Sequence, residues 1–105
     1  MTSEAYKRKI DKRKENEVQL VSLYDEYYDK IAHYVYVRIG DKPEAEDIAS
    51  EVFLKALESL QEYEERGVPM QAWLFKIAHN LVVDHFRKVT KYKTVPIETV
   101  EIRAE

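Results

Sequence analysis

Two glycines and three prolines are all the backbone punctuation in 105 residues, and that scarcity constrains the fold more than any other feature. A many-stranded sheet needs a turn signal every ~8–12 residues, and long stretches here offer none. Four of the five gather at two places, Gly40 with Pro43 and Gly67 with Pro69, and Pro96 stands near the C-terminal end. The chain therefore reads as all-α, a compact bundle of three main helices with room for an extra N-terminal one. Its length allows one domain with one core.

The apolar periodicity agrees. Val21, Tyr24, Tyr28, Ile31, Val35 and Ile39 follow steps of 3, 4, 3, 4 and 4, which marks one stripe of a helix. Leu20, Leu23, Tyr27 and Tyr34 widen it, so burial on a broad face is expected. Gly40 is placed to end this helix as a left-handed cap. Asp41, with Pro43 in the first turn and Glu44 three residues on, is a start signal for the next helix. That second helix, from about residue 42 to 60, should bury Ala45, Ile48, Ala49, Val52, Phe53, Ala56, Leu57 and Leu60. A third, over about residues 70–88, should bury Leu74, Ile77, Ala78, Leu81, Val82 and Phe86, with Trp73 at least half covered.

The net charge of −3 hides a segregation. Residues 1–14 carry +4, residues 15–40 carry −3, residues 41–65 carry −7 and residues 71–93 carry +4. Two surfaces of opposite sign suit two different partners, although two mutually attracting solvated faces would have the same composition. Residues 1–17 form a charged segment that is either a solvated helix or a disordered arm. They could touch phosphate or have no role.

The outer face of the second helix is more specific. Asp47, Glu51, Leu54 and Glu58 follow steps of 4, 3 and 4, an acidic stripe interrupted by one leucine. Such a stripe fits a basic partner helix with an apolar anchor, and it equally fits a wet face with a stray leucine. The stretch 61–70 loses periodicity and forms the substantial internal loop, a kind of element that often carries function. On the third helix the polar stripe is Trp73, Lys76, Asn80, Asp84 and Arg87, continuing to Lys88, Lys91 and Lys93. An amide between an aromatic ring and cations can read a base edge while the cations hold phosphates.

Several chemistries have no support. There is no cysteine, hence no thiolate metal site or thiol nucleophile, and the composition fits a reducing cytosol. His79 and His85 are six apart and cannot share a helical face as i, i+4 ligands do, and His33 lies on another helix. No Gly-rich phosphate loop or nucleophile elbow occurs. No apolar run reaches the ~18 residues a membrane-spanning helix needs. The chain reads as a non-enzymatic module without cofactor or metal.

Three stretches together carry a resemblance. Leu23-Tyr-Asp-Glu-Tyr-Tyr-Asp-Lys-Ile31, Ala45-Glu-Asp-Ile-Ala-Ser-Glu-Val-Phe-Leu-Lys-Ala56 and Ala72-Trp-Leu-Phe-Lys-Ile-Ala-His-Asn-Leu-Val-Val-Asp-His-Phe-Arg87 resemble region 2 of bacterial RNA polymerase sigma factors of the extracytoplasmic-function (ECF) type. The resemblance covers residues 18–93 and leaves 94–105 as the start of a linker. It implies that the helix with Asp47, Ser50, Glu51, Leu54 and Glu58 docks on the clamp coiled coil of the β′ subunit of core RNA polymerase. Ser50 stands where the family commonly has Gln.

The resemblance further implies that the loop 62–70 captures a base flipped from the non-template strand of the promoter −10 element, with Asn80 closing the pocket. Tyr63, Arg66, Gly67, Val68, Pro69 and Met70 would then belong to the DNA site. Lys76, Arg87 and Lys88 would neutralise phosphates. An anti-sigma factor is a further implied partner. Family members continue into a second helical domain, region 4, so the expectation is an excised domain rather than a natural short form. Two rivals remain: a helical protein-binding adaptor with no DNA recognition, and a small helical enzyme using His79, Asp84 or His85.

Overall fold

A computed structural model describes residues 2–63 and 67–92. Three helices make the fold: α1 (Ser3–Ile39), α2 (Lys42–Glu58) and α3 (Met70–Tyr92), with a 3-10 turn at Leu60–Glu62. The expected stop and start signals act as anticipated. Gly40 adopts φ 76°, and its N–H donates to the Tyr36 carbonyl at 2.8 Å. One residue later the Asp41 carboxylate accepts from the Glu44 N–H at 3.1 Å, capping α2.

Residues 3–17 continue α1 without interruption, under a Thr2 cap whose hydroxyl accepts from the Ala5 N–H. Nothing in this stretch breaks a helix, so α1 reaches 37 residues, roughly 55 Å at the standard rise.

α2 packs on both α1 and α3. Its Ala45, Ala49 and Ala56 are almost wholly buried, and such small side chains let the neighbouring helices come close. Around them gather Leu20, Leu23, Ile31 and Val35 from α1, Ile48, Val52 and Phe53 from α2, Leu60 from the turn, and Leu74, Ala78, Leu81 and Val82 from α3. An aromatic layer flanks this core: Tyr27 and Tyr34 both meet Phe75 edge-on, with centroids 6.2 and 5.4 Å away. Full burial of a Leu, Ile, Val or Met side chain contributes about 1.5–3 kcal/mol. Ile31, Val35, Val52, Leu60, Met70 and Leu74 all qualify.

Four residues expected inside are outside. Val21 and Tyr24 are exposed because the stripe that α1 turns to its partners is centred on Leu20, Leu23, Tyr27 and Ile31. Tyr24 still touches the Phe53 ring edge-on at 4.9 Å. Leu57 is exposed because the fully buried Ala56 takes the inner position at that level of α2. Phe86 is exposed beyond the point where α3 meets the first turn of α2, and its ring contacts that of His85.

Candidate functional site

The acidic stripe is built as its spacing suggests. Asp47, Ser50, Glu51, Leu54 and Glu58 all lie exposed on one side of α2, with Leu54 57% accessible. The unexpectedly exposed Leu57 adds a second apolar side chain close to it. Ser50 is not free to swing. The Tyr28 hydroxyl donates to the Glu46 carbonyl at 3.2 Å and lies 3.3 Å from the Ser50 hydroxyl. With the tyrosine proton committed to Glu46, Ser50 is the donor of the second bond.

α3 presents its polar stripe beside this surface, and the two meet. A small cleft of about 130 Å³ sets Glu44, Asp47 and Glu51 of α2 opposite Asp84, His85 and Lys88 of α3. His85 Nδ1 lies 3.8 Å from a Glu44 carboxylate oxygen. Lys88 therefore shares a cleft with the carboxylates, and the two faces inferred from segment charge join at an edge. Arg87 projects elsewhere, exposed and 3.7 Å from Asp84 on its own helix. Exposed pairs of this kind contribute little to stability. They leave the guanidinium able to change partners.

Asn80 is exposed on α3 in a wider cleft of about 430 Å³, together with Glu58, Glu62, Trp73 and Asp84. Three carboxylates and one cation, Lys55, line the cleft with this amide. Such a lining disfavours phosphate, while a base edge carrying an amino group would meet good acceptors. Lys76 stands exposed one turn before Asn80.

The loop enters this cleft through Tyr63. Its ring lies against Trp73, with centroids 5.0 Å apart, and its hydroxyl donates to the Val68 carbonyl at 3.0 Å. Gly67 takes φ 77°, the left-handed region in which other residues are strained. Gly67, Val68 and Pro69 are exposed. Met70 is wholly buried and anchors the first turn of α3 in the core, which leaves its backbone and not its side chain for the expected DNA site. Arg66 and residues 93–105 lie outside the described residues, and with them the expected linker.

In the sequence reading Tyr28 had only a packing role, and Trp73 was the half-covered aromatic at the start of the polar stripe. The structure makes each the support of a neighbouring site residue, and no spacing rule signals such hydroxyl and ring contacts. The histidines form no cluster, and among the described residues no three His, Asp or Glu side chains gather as metal ligands do. No helix of the described residues is long and apolar enough to cross a membrane.

A helical domain with an acidic, leucine-bearing face and a tyrosine-closed loop beside an exposed asparagine is the arrangement expected of a sigma factor region 2. Comparison with known proteins agrees: the Sigma-70 region 2 profile matches residues 23–92, and the chain belongs to that family. Its relatives are ECF sigma factors, which are transcription initiation factors and not enzymes.

The chain is 48% identical over 65 residues to the ECF RNA polymerase sigma factor BldN of Streptomyces coelicolor, covering 62% of this chain and 25% of BldN. It is 32% identical over 79 residues to the RNA polymerase sigma factor YlaC of Bacillus subtilis, covering 75% of this chain and 45% of YlaC. Thus the chain spans between a quarter and just under half of the relatives it matches. A solved structure of an RsbN-BldN complex is similar with a TM-score of 0.63 and 33% identity, covering 85% of this chain and 66% of that one.

Proposed function

We propose that this chain is the part of an ECF sigma factor that binds core RNA polymerase and captures the promoter −10 element as single-stranded DNA during initiation. The observation that carries the reading is the placement of Asn80 beside a loop closed by Tyr63 and braced on Trp73. The exposed face of Asp47, Ser50, Glu51, Leu54 and Glu58 attaches to the β′ clamp coiled coil. Carboxylates ring a leucine there, which suits a basic helix with an apolar anchor.

A base leaving the duplex costs a few kcal/mol of unstacking, and enclosure plus hydrogen bonds must return it. The Asn80 amide supplies a donor and an acceptor, and the backbone N–H groups of Gly67, Val68 and Met70 supply further donors. Lys76 and Arg87 meet phosphates outside the clefts, and Lys88 does so from the edge of the cleft it shares with Glu44, Asp47 and Glu51. Residues 18–93 form the working domain in this reading, and 94–105 begin a linker. BldN was solved in complex with RsbN, which supports a protein partner of the anti-sigma kind for this chain as well.

The test is fluorescence anisotropy with single-stranded seven-nucleotide probes in which each −10 position is varied, at fixed salt. A graded response that flattens in Asn80→Ala is expected. Equal binding to every sequence would reject base capture and leave the protein-binding adaptor.

A further inference from the structure

Tyr28 is placed by the core and not by solvent. Its ring stacks on that of Phe53, with centroids 6.3 Å apart, and leans on Tyr24 at 5.3 Å. The hydroxyl at the end of this held ring reaches α2 at a fixed point, the Glu46 carbonyl, at 3.2 Å.

That carbonyl lies four residues before Ser50. In an α-helix it already accepts the N–H of the residue four positions on, and it is also where a helical serine hydroxyl commonly bonds back. A carbonyl oxygen has two lone pairs, and here the Tyr28 hydroxyl takes the second. The Ser50 hydroxyl is thus displaced from its usual acceptor and donates instead to the Tyr28 oxygen, 3.3 Å away. With its one proton turned towards α1, Ser50 offers lone pairs on the exposed side of α2. Asp47, Glu51 and Glu58 on the same side, when ionised, also accept only.

We propose that Tyr28 is a positioning residue for polymerase docking: it fixes Ser50 as an acceptor, so that every polar side chain of the docking face accepts hydrogen bonds. The inference rests on the reading of α2 as that face. A freely turning hydroxyl could act as donor or acceptor, and a partner would have to order it on binding. The fixed one selects a partner helix that sets an N–H group of Lys, Arg or an amide against Ser50. A partner carbonyl or carboxylate there would meet lone pairs and be rejected.

The test is a titration of the fluorescently labelled 105-residue chain with purified bacterial core RNA polymerase, read by anisotropy. Ser50→Ala should weaken binding about tenfold, the scale of one hydrogen bond. Tyr28→Phe keeps the ring contacts and should weaken binding several-fold. In the Ser50→Ala background the same Tyr28→Phe change should have no further effect on binding, because it acts through the Ser50 hydroxyl. The thermal midpoint should fall with Tyr28→Phe in both backgrounds, since the bond to Glu46 is lost in each. A merely structural Tyr28 would therefore weaken binding in both. Unchanged binding in Ser50→Ala or in Tyr28→Phe, or the same loss from Tyr28→Phe in both backgrounds, would overturn this proposal alone. Equal binding of wild type and Leu54→Asp would remove the docking face and this proposal with it.

Discussion

The Tyr63 hydroxyl donates to the Val68 carbonyl five residues on, at 3.0 Å, and so joins the two ends of the loop through one side chain. The same ring rests on Trp73 of α3. Loop and helix are thereby held in register by a residue that need not touch DNA through its hydroxyl at all. Preorganisation of this kind lowers the ordering cost that a flexible loop would bring to binding.

Tyr63→Phe should separate these roles. The ring remains on Trp73, and the lost hydrogen bond should cost about 0.5–1.5 kcal/mol in stability by urea denaturation. Affinity for the preferred −10 single strand should fall several-fold in anisotropy, because the loop is no longer closed. Unchanged affinity would show that the clasp does not shape the site.

Leu54→Asp should leave stability within about 0.5 kcal/mol, as surface substitutions usually do, since Leu54 is exposed. A pull-down with core polymerase should nevertheless lose at least ~90% of the bound chain, the effect of removing a central apolar anchor. Equal retention of wild type and variant would exclude α2 as the docking face.

Met70 separates the core from the site. Met70→Ala should cost about 2–5 kcal/mol of stability, because the side chain is wholly buried. Met70→Leu, which conserves volume, should cost less than about 1.5 kcal/mol and bind DNA as wild type does. A loss of DNA affinity in a stable Met70→Leu protein would return this residue to the interface.

Gly40→Ala tests the junction of α1 and α2. A Cβ there meets nothing within 4 Å, so the penalty is purely that of φ 76°. The left-handed backbone should cost roughly 1–2 kcal/mol, read as a lowered thermal midpoint with unchanged helicity.

Legibility in the sequence was uneven, for physical reasons. The ends of α1 and α2 at Gly40 and Asp41 could be read because capping is local chemistry. The phase of α1 could not. Apolar residues occupy positions 20, 21, 23, 24, 27 and 28, and only the packing partners decide which of them face inward. Leu20 and Leu23 do, while Val21 and Tyr24 do not. The acidic stripe was legible because i, i+4 and i, i+3 steps fix a face whatever covers the opposite one. Burial of Asn16 and the hold of Tyr28 on Ser50 depend on contacts between elements distant in sequence, which leave no periodic trace.

The uninterrupted α1 also acts as a measuring rod. Twelve positions separate Asn16, which faces Leu60 and Gln61 of the turn, from Tyr28, which steadies Ser50 of α2. That separation corresponds to roughly 18 Å along the axis and a fixed rotation about it. A single residue inserted between them would turn the first half of α1 by about 100° relative to Tyr28, whereas a substitution would leave the gauge intact. The angle between these two stations of α1 is therefore written as a residue count, which insertions change and substitutions do not.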